Sequence, residues 1–224
     1  MKLSTQTTEV LKNFSTINQN IMIRSGDTLK TVSAMKNIVA TAKVPDNFVR
    51  EVPIYNLNEF LSVHSLFSKP LLNFNEKFLT ISEDGGSSSC KYHYSDPSVI
   101  VTVDKDLTMP TVDVEVVFTE SIIKQVNNAS GTLGVTDLVL TGVKDKPVEL
   151  KVKDKKNSAS NNFAINMGTN AEADFEFYFK VENLKLLPGD YDVQVSSKGI
   201  SFFRHKTLDV TYFIALEPES TYKS

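Results

Sequence analysis

Residues 112–130 read VDVEVVFTESIIKQVNNAS, and their reading decides the fold because the same arrangement occurs twice in the chain. The first five residues alternate apolar and polar and run on into Val117 and Phe118, the pattern of a strand. From Thr119 the pattern turns helical, opening with a Thr/Ser cap and an early glutamate. Residues 3–15, LSTQTTEVLKNFS, play the same part near the start of the chain. There Val10, Leu11, Phe14 and Ile17 form one apolar stripe at helical period. The opposite face shows Gln6, Glu9, Lys12, Asn13 and Thr16. Solvent-facing helices are usually laced with Glu and Lys pairs, and this one carries a single lysine.

Outward from these two helices the element order repeats. After the first come runs of period two: NIMIRSG, DTLKTVSA, NIVATAKV and FVREVPIY, punctuated by turns at Gly26-Asp27 and Pro45-Asp46. NLNEFLSVHSLF returns to helical spacing, with Asn56 or Asn58 as its cap. Strands follow at LLNF, KFLTIS, SCKYHY and SVIVTV, with EDGGSSS as a hairpin turn. The pattern breaks at DKDLTMPT, which reads as a linker. After the second helix come LGVTDLVLTG, PVELKVK, NNFAINMG and DFEFYFKV, a short helix in ENLKLLPGD, and the strands YDVQVSS, SFFRHK and LDVTYFIAL. An internal duplication of this kind implies two copies of one unit, at 1–104 and 112–224, joined by a linker at 105–111. The fold class is α+β. An amphipathic helix buries one stripe, so the helices lie on one face of antiparallel sheets.

The chain has 224 residues, 41% of them hydrophobic, enough for a proper core. Nothing approaches the ~20 consecutive apolar residues of a membrane span. The N-terminus lacks a secretory pattern, and one cysteine, Cys90, fits a reducing compartment. A net charge of −3 argues against gripping nucleic acid through the whole surface. No catalytic constellation is present: no G-x-S-x-G, no P-loop and no G-x-G-x-x-G. Cys90 and His93 stand at C-x-x-H spacing without a second ligand pair, and strand alternation points them to opposite faces. His64 lies in an apolar helix and His205 in a strand. The densest basic cluster, KDKPVELKVKDKK, alternates Lys151, Lys153 and Lys155 outward. Interrupted by Asp145, Glu149 and Asp154, it reads as a solvated hairpin whose lysines protect an edge. The expectation is a protein that is not an enzyme and needs no cofactor or metal.

Four stretches carry a resemblance: MKLSTQTTEVLKNFSTINQNIMIRSG, IYNLNEFLSVHSL, LLPGDYDV and the ending YFIALEPEST. They resemble the sliding clamps of T-even bacteriophages, the processivity factors of the phage replicative DNA polymerase. The likeness covers the first 25 or so residues, the second helix and the last 40; between 72 and 171 element order matches more than residues do. It implies a homotrimeric ring of two-domain subunits, with helices lining a hole that holds duplex DNA. It also implies an ATP-dependent clamp loader, the C-terminal peptide of the polymerase and late transcription factors as partners, in the cytoplasm of an infected bacterial host.

On that reading the thinly charged helix face is a loose sleeve, since strong phosphate contacts would impede sliding. The DNA-facing residues are then Lys12, Asn13, Thr16, Lys124, Gln125, Asn128 and Lys185, with His64 adding to them. A partner-peptide pocket is expected from Val44, Leu107, Met109, Pro110, Phe213, Ile214, Leu216 and Pro218. Subunit contact is expected between strand 98–103 (Val99, Ile100, Val101, Val103) and strand 162–167 (Phe163, Ile165, Met167). The rival readings are a monomeric β-rich phage structural or adaptor protein, and a monomeric, non-ring processivity subunit, which would be strongly basic.

Overall fold

A computed structural model describes residues 1–103, 105–157 and 159–223. The chain forms two compact units, Met1–Asp106 and Leu107–Ser224.

The first unit opens with helix α1 (Thr5–Ile17), capped by Ser4. Strands β1 (Ile21–Ile23), β2 (Gly26–Val32), β3 (Ile38–Phe48) and β4 (Val52–Ile54) follow, then helix α2 (Leu57–His64) and strands β5 (Pro70–Phe74), β6 (Phe78–Glu83) and β7 (Ser89–His93). The second unit contains β8 (Val114–Phe118), helix α3 (Glu120–Leu133), β9 (Asp137–Gly142), β10 (Pro147–Lys153), β11 (Phe163–Asn170) and β12 (Asp174–Lys180). It closes with β13 (Tyr191–Ser196), β14 (Ile200–His205), β15 (Val210–Ala215) and β16 (Thr221–Lys223).

The duplication is visible in the strand pairing. The outer two of each four strands after the long helix pair antiparallel, β1 with β4 and β9 with β12. The inner two form hairpins, β2 with β3 and β10 with β11. The last three form a meander in each unit, β5-β6-β7 and β13-β14-β15. Even β8, which runs along β13, has a vestige in the first unit. There Met1 and Leu72 exchange two backbone hydrogen bonds, both 2.7 Å.

Three expected elements differ. Pro45-Asp46 is not a turn; β3 runs through it, and the irregular register between Gly26 and Thr28 of β2 absorbs the extra residues. Residues 98–103 are not a strand. Asp96 caps a single 3-10 turn at Pro97–Val99, accepting from Ser98 N–H at 2.9 Å. Ile100 then turns inward, and Val101 N–H donates to Asn20 Oδ1 at 3.1 Å. Side-chain acceptors have captured the amides that a ladder would use. The helix expected in ENLKLLPGD is one 3-10 turn, Val181–Asn183. Beyond it the backbone of Leu187 is claimed by two buried tyrosines: Tyr191 OH donates to its carbonyl at 2.7 Å, and its N–H donates to Tyr212 OH at 3.1 Å. Pro188-Gly189 then turns the chain where the His205 ring leaves no room for a Cβ.

Each unit has its own core. In the first, Val10, Leu11 and Phe14 of α1 are fully buried with Leu29, Ala40 and Ala42 of the β2–β3 hairpin. In the second, Phe203 meets Phe118, Phe179 and Tyr191 edge to face. Strand β10 has neighbours on both sides, so its lysines do not guard an edge as expected. Lys151 pairs with Glu149 at 2.6 Å, Lys153 lies over the Tyr178 ring, and Lys155 reaches Glu217 and Glu219 at 3.1 and 3.0 Å. Behind them Asp137 is buried; burial opposes its charge, but the Lys180 ammonium at 2.5 Å and the Lys155 amide and ammonium hold its carboxyl below the usual range.

A carboxyl lowered in the folded state contributes stability above its unfolded pKa and loses it as pH falls. Urea midpoints of the wild type should therefore drop as pH falls below about 4. Asp137→Asn should be less stable at neutral pH and show a smaller drop on acidification.

Candidate functional site

The long helices carry the polar faces that the sequence singles out. In α1 the apolar stripe is sealed, and Thr7 is buried beside it. Lys12 and Thr16 are exposed, and Asn13 is half-buried. Several hydroxyls on this helix are turned back onto its own backbone: Thr8 donates to the Ser4 carbonyl at 3.0 Å, Ser15 to Lys12 at 2.8 Å and Thr16 to Asn13 at 2.7 Å. Such a hydroxyl spends its proton inside the helix and offers the outside only lone pairs. Helix α2 packs beside α1 and is capped by Asn56. Its His64 does not add positive charge. Burial, and then the Lys12 ammonium, hold the imidazole below its ordinary value, and Nε2 lies inside without a partner among the described residues. Strand β7 braces α2 from below: Tyr92 meets Phe60 edge to face and donates its hydroxyl to the Asn56 carbonyl at 3.2 Å. Burial, with Glu59 adding, pushes the Tyr92 phenol up to about 12.

In the second unit α3 is capped by Thr119 and ends at Gly134, whose φ of 66° is the left-handed C-cap conformation. It exposes Lys124, Gln125 and Asn128. Lys124 is held by Glu120 one turn earlier at 2.5 Å, and Gln125 donates to Ser121 at 3.2 Å. Only Val126 is fully buried, because a single 3-10 turn stands where α1 has a second helix to pack on. Lys185 is half-buried on the loop after that turn, not on a helix. Across the three helices two lysines stand against three glutamates, Glu9, Glu59 and Glu120. The faces are polar, partly satisfied from within and without net positive charge.

The expected peptide anchors divide. Val44 belongs to the core of the first unit, and Ile214 and Leu216 to the core of the second, so these three present nothing to a partner. Leu107, Pro110 and Pro218 are exposed and Met109 is half-exposed. Phe213 lies against Phe202 on the other face of its strand, with ring centroids 4.8 Å apart. The strand expectation for subunit contact divides too. Ile100 is buried within its own unit, and residues 98–103 offer no ladder. By contrast β11 stands at the end of its sheet, with Phe163, Ile165 and Met167 half-exposed. In the first unit β7 is among the strands at a sheet end, a position that sequence periodicity gives no means of ranking. An open cavity of about 310 Å³, largely apolar in surface, lies between α3 and β11, lined by Ala129, Leu133 and Phe163 together with Gln125, Asn128 and Thr132.

Two aspartates that sequence reading passed over reach the long helices. Asp46 of β3 accepts from Ser4 N–H at 2.7 Å, and Asp190, just before β13, accepts from Glu120 N–H at 2.8 Å. The signal for the first was the absence of any acid in the first turn of α1.

Two units of antiparallel sheet, each with one long helix ahead of its strands, define the class: the DNA clamps. A structure described as the C-terminal region of FEN-1 bound to A. fulgidus PCNA superposes with a TM-score of 0.69, covering 96% of each chain at 13% identity. PCNA from Thermococcus kodakaraensis gives 0.68, covering 95% of this chain and 96% of its own at 13% identity. At the sequence level, residues 2–102 match the family described as DNA polymerase processivity factor, and residues 100–218 match the gp45 sliding clamp, C terminal. The sliding clamp of Vibrio phage KVP40 is 33% identical over 97% of this chain and 99% of its own, and that of Enterobacteria phage T4 is 28% identical over 99% of each. The chain belongs to the sliding clamps of T4-type phages, the processivity factors of phage DNA polymerases.

Ile214→Ala should act as a core truncation: a loss of about 2–5 kcal/mol in urea unfolding, with no specific loss of partner-peptide affinity in the folded fraction. A large affinity loss at unchanged stability would return Ile214 to the pocket.

Proposed function

We propose that this clamp works as a closed homotrimer threaded by duplex DNA, holding the phage polymerase at its template without chemistry of its own. The observation that carries the reading is the charge balance of the helix faces. Phosphate contacts supply most non-specific DNA affinity and fade steeply with salt. Faces with two lysines, one of them already paired, against three glutamates have little to offer phosphates. A protein that supports long synthesis with such faces is tethered by topology. Lys12, Asn13, Thr16, Lys124, Gln125 and Asn128 are its DNA-facing residues, with Lys185 at the margin.

The ring closes through sheet edges. A strand end left open is a liability unless a partner pairs with it, and β11 in the second unit and β7 in the first are such ends. The largely apolar cavity between α3 and β11 gives the joint a core beside the ladder. Leu107, Met109, Pro110 and Pro218 are the accessible anchors for the C-terminal peptide of the polymerase. An ATP-dependent loader opens the ring, and late transcription factors use the same mobile platform. The site of action is the cytoplasm of the infected host; among the described residues no helix is long and apolar enough to cross a membrane.

Loaded onto nicked circular DNA, the wild type should co-elute with the circle in moderate salt. A single restriction cut should release it within minutes, whereas retention on linear DNA with unblocked ends would refute encirclement. Ile165→Lys on β11 should give monomers by sedimentation at micromolar concentration with unfolding stability nearly unchanged. A trimer surviving that charge would place the contact elsewhere.

A further inference from the structure

The first turns of both long helices are held by a carboxylate from outside the helix. Ser4 N–H reaches Asp46 across 42 residues, and Glu120 N–H reaches Asp190 across 70. The duplication does not account for this. Asp46 lies within β3, whose counterpart is β11, whereas Asp190 precedes β13, whose counterpart is β5. The two aspartates therefore reach the helices from non-equivalent places in the two units. Asp46 is a charged acceptor: burial opposes its ionisation, but hydrogen bonds from the Thr7 hydroxyl and from Ser4 outweigh it and hold the carboxyl below its usual range.

A first turn left uncovered attracts phosphate, because its backbone N–H groups lack partners and the helix dipole is positive there. Several polar groups along these faces are already satisfied from within, and the two aspartates extend that pattern to the amides. Resting on the reading that α1 and α3 face the duplex, we propose that Asp46 and Asp190 are positioning residues with a second effect. They pin the first turns of the DNA-facing helices and fill with a fixed carboxylate the place a DNA phosphate would take. A fixed anion counts twice against binding, since it occupies the donor and repels the phosphate. The clamp thereby keeps its duplex-facing surface weakly adhesive at the points where helices adhere most readily.

The test compares the intact wild type with Asp46→Asn, Asp190→Asn and the double variant; asparagine keeps the shape but offers only a neutral, weaker acceptor that a phosphate can displace. Binding to linear duplex is measured along a salt series. The double variant should bind at least about threefold tighter at low salt, with log K against log salt steeper by ~0.9 for each phosphate gained. Asp46→Glu with Asp190→Glu should return both values to wild type. A lower melting temperature with an unchanged salt slope would mean that the aspartates only cap, and the proposal would fall. A second measurement covers variants that fold poorly. In amide spectra titrated with inorganic phosphate, Ser4 should move only in Asp46→Asn and Glu120 only in Asp190→Asn. Equal shifts in the wild type would overturn the idea. Encirclement is judged separately, on wild-type protein released by cutting the circle, so the two readings fail independently.

Discussion

The pairing of the first strand of each four with the last, β1 with β4 and β9 with β12, is the constraint on which the rest depends. It brings distant segments together while the inner hairpin stays contiguous, and so leaves a sheet with one face for a helix to cover. The long helix just before the first strand has one apolar stripe and takes that face. Its polar side is thereby turned outward. Most of the function follows from that placement.

The two units spend the same plan differently. In the first, a genuine second helix stands beside α1, and the stripe of α1 is sealed to 6% exposure or less. In the second, Tyr191 and Tyr212 draw the backbone of Leu187 into hydrogen bonds that replace a helix, and α3 keeps Ile122, Ile123 and Leu133 half-exposed. The duplication thus preserves the strand pairing while the long helix is sealed in one copy and half-covered in the other.

On the outward faces the energetics favour restraint. Exposed ion pairs such as Lys124 with Glu120 contribute little to stability, about 0.3–0.5 kcal/mol for an i,i+4 pair. Their larger effect is to leave the α3 face with a cation whose charge is already balanced one turn away. Hydroxyls returned to their own helix and a histidine kept neutral by burial act in the same direction. A clamp that must stay on DNA without holding it needs donors that are present but already engaged.

Much of this was legible in the residues. Helical period placed α1, α2 and α3 and the buried stripe of α1, and alternation placed fifteen of the sixteen strands among the described residues to within a few residues, because both periods arise from local backbone geometry. The repeated order of elements survives even where residues diverge, since pairing tolerates any apolar side chain of suitable size. What the sequence could not decide was everything set by a distant partner. SVIVTV has a strand's composition, yet Asn20 and Asp96 took its amides. ENLKLLPGD has helical spacing, yet two tyrosines took its backbone. Ile214 and Pro218 look alike as apolar residues near the C-terminus, but only the packed sheet shows that one is core and the other surface. Asp46, in what reads as a turn, becomes the acceptor for a helix 42 residues away. Local period is written in the chain itself, whereas hydrogen-bond partners and burial are settled only when remote segments meet, and there the tertiary structure decided.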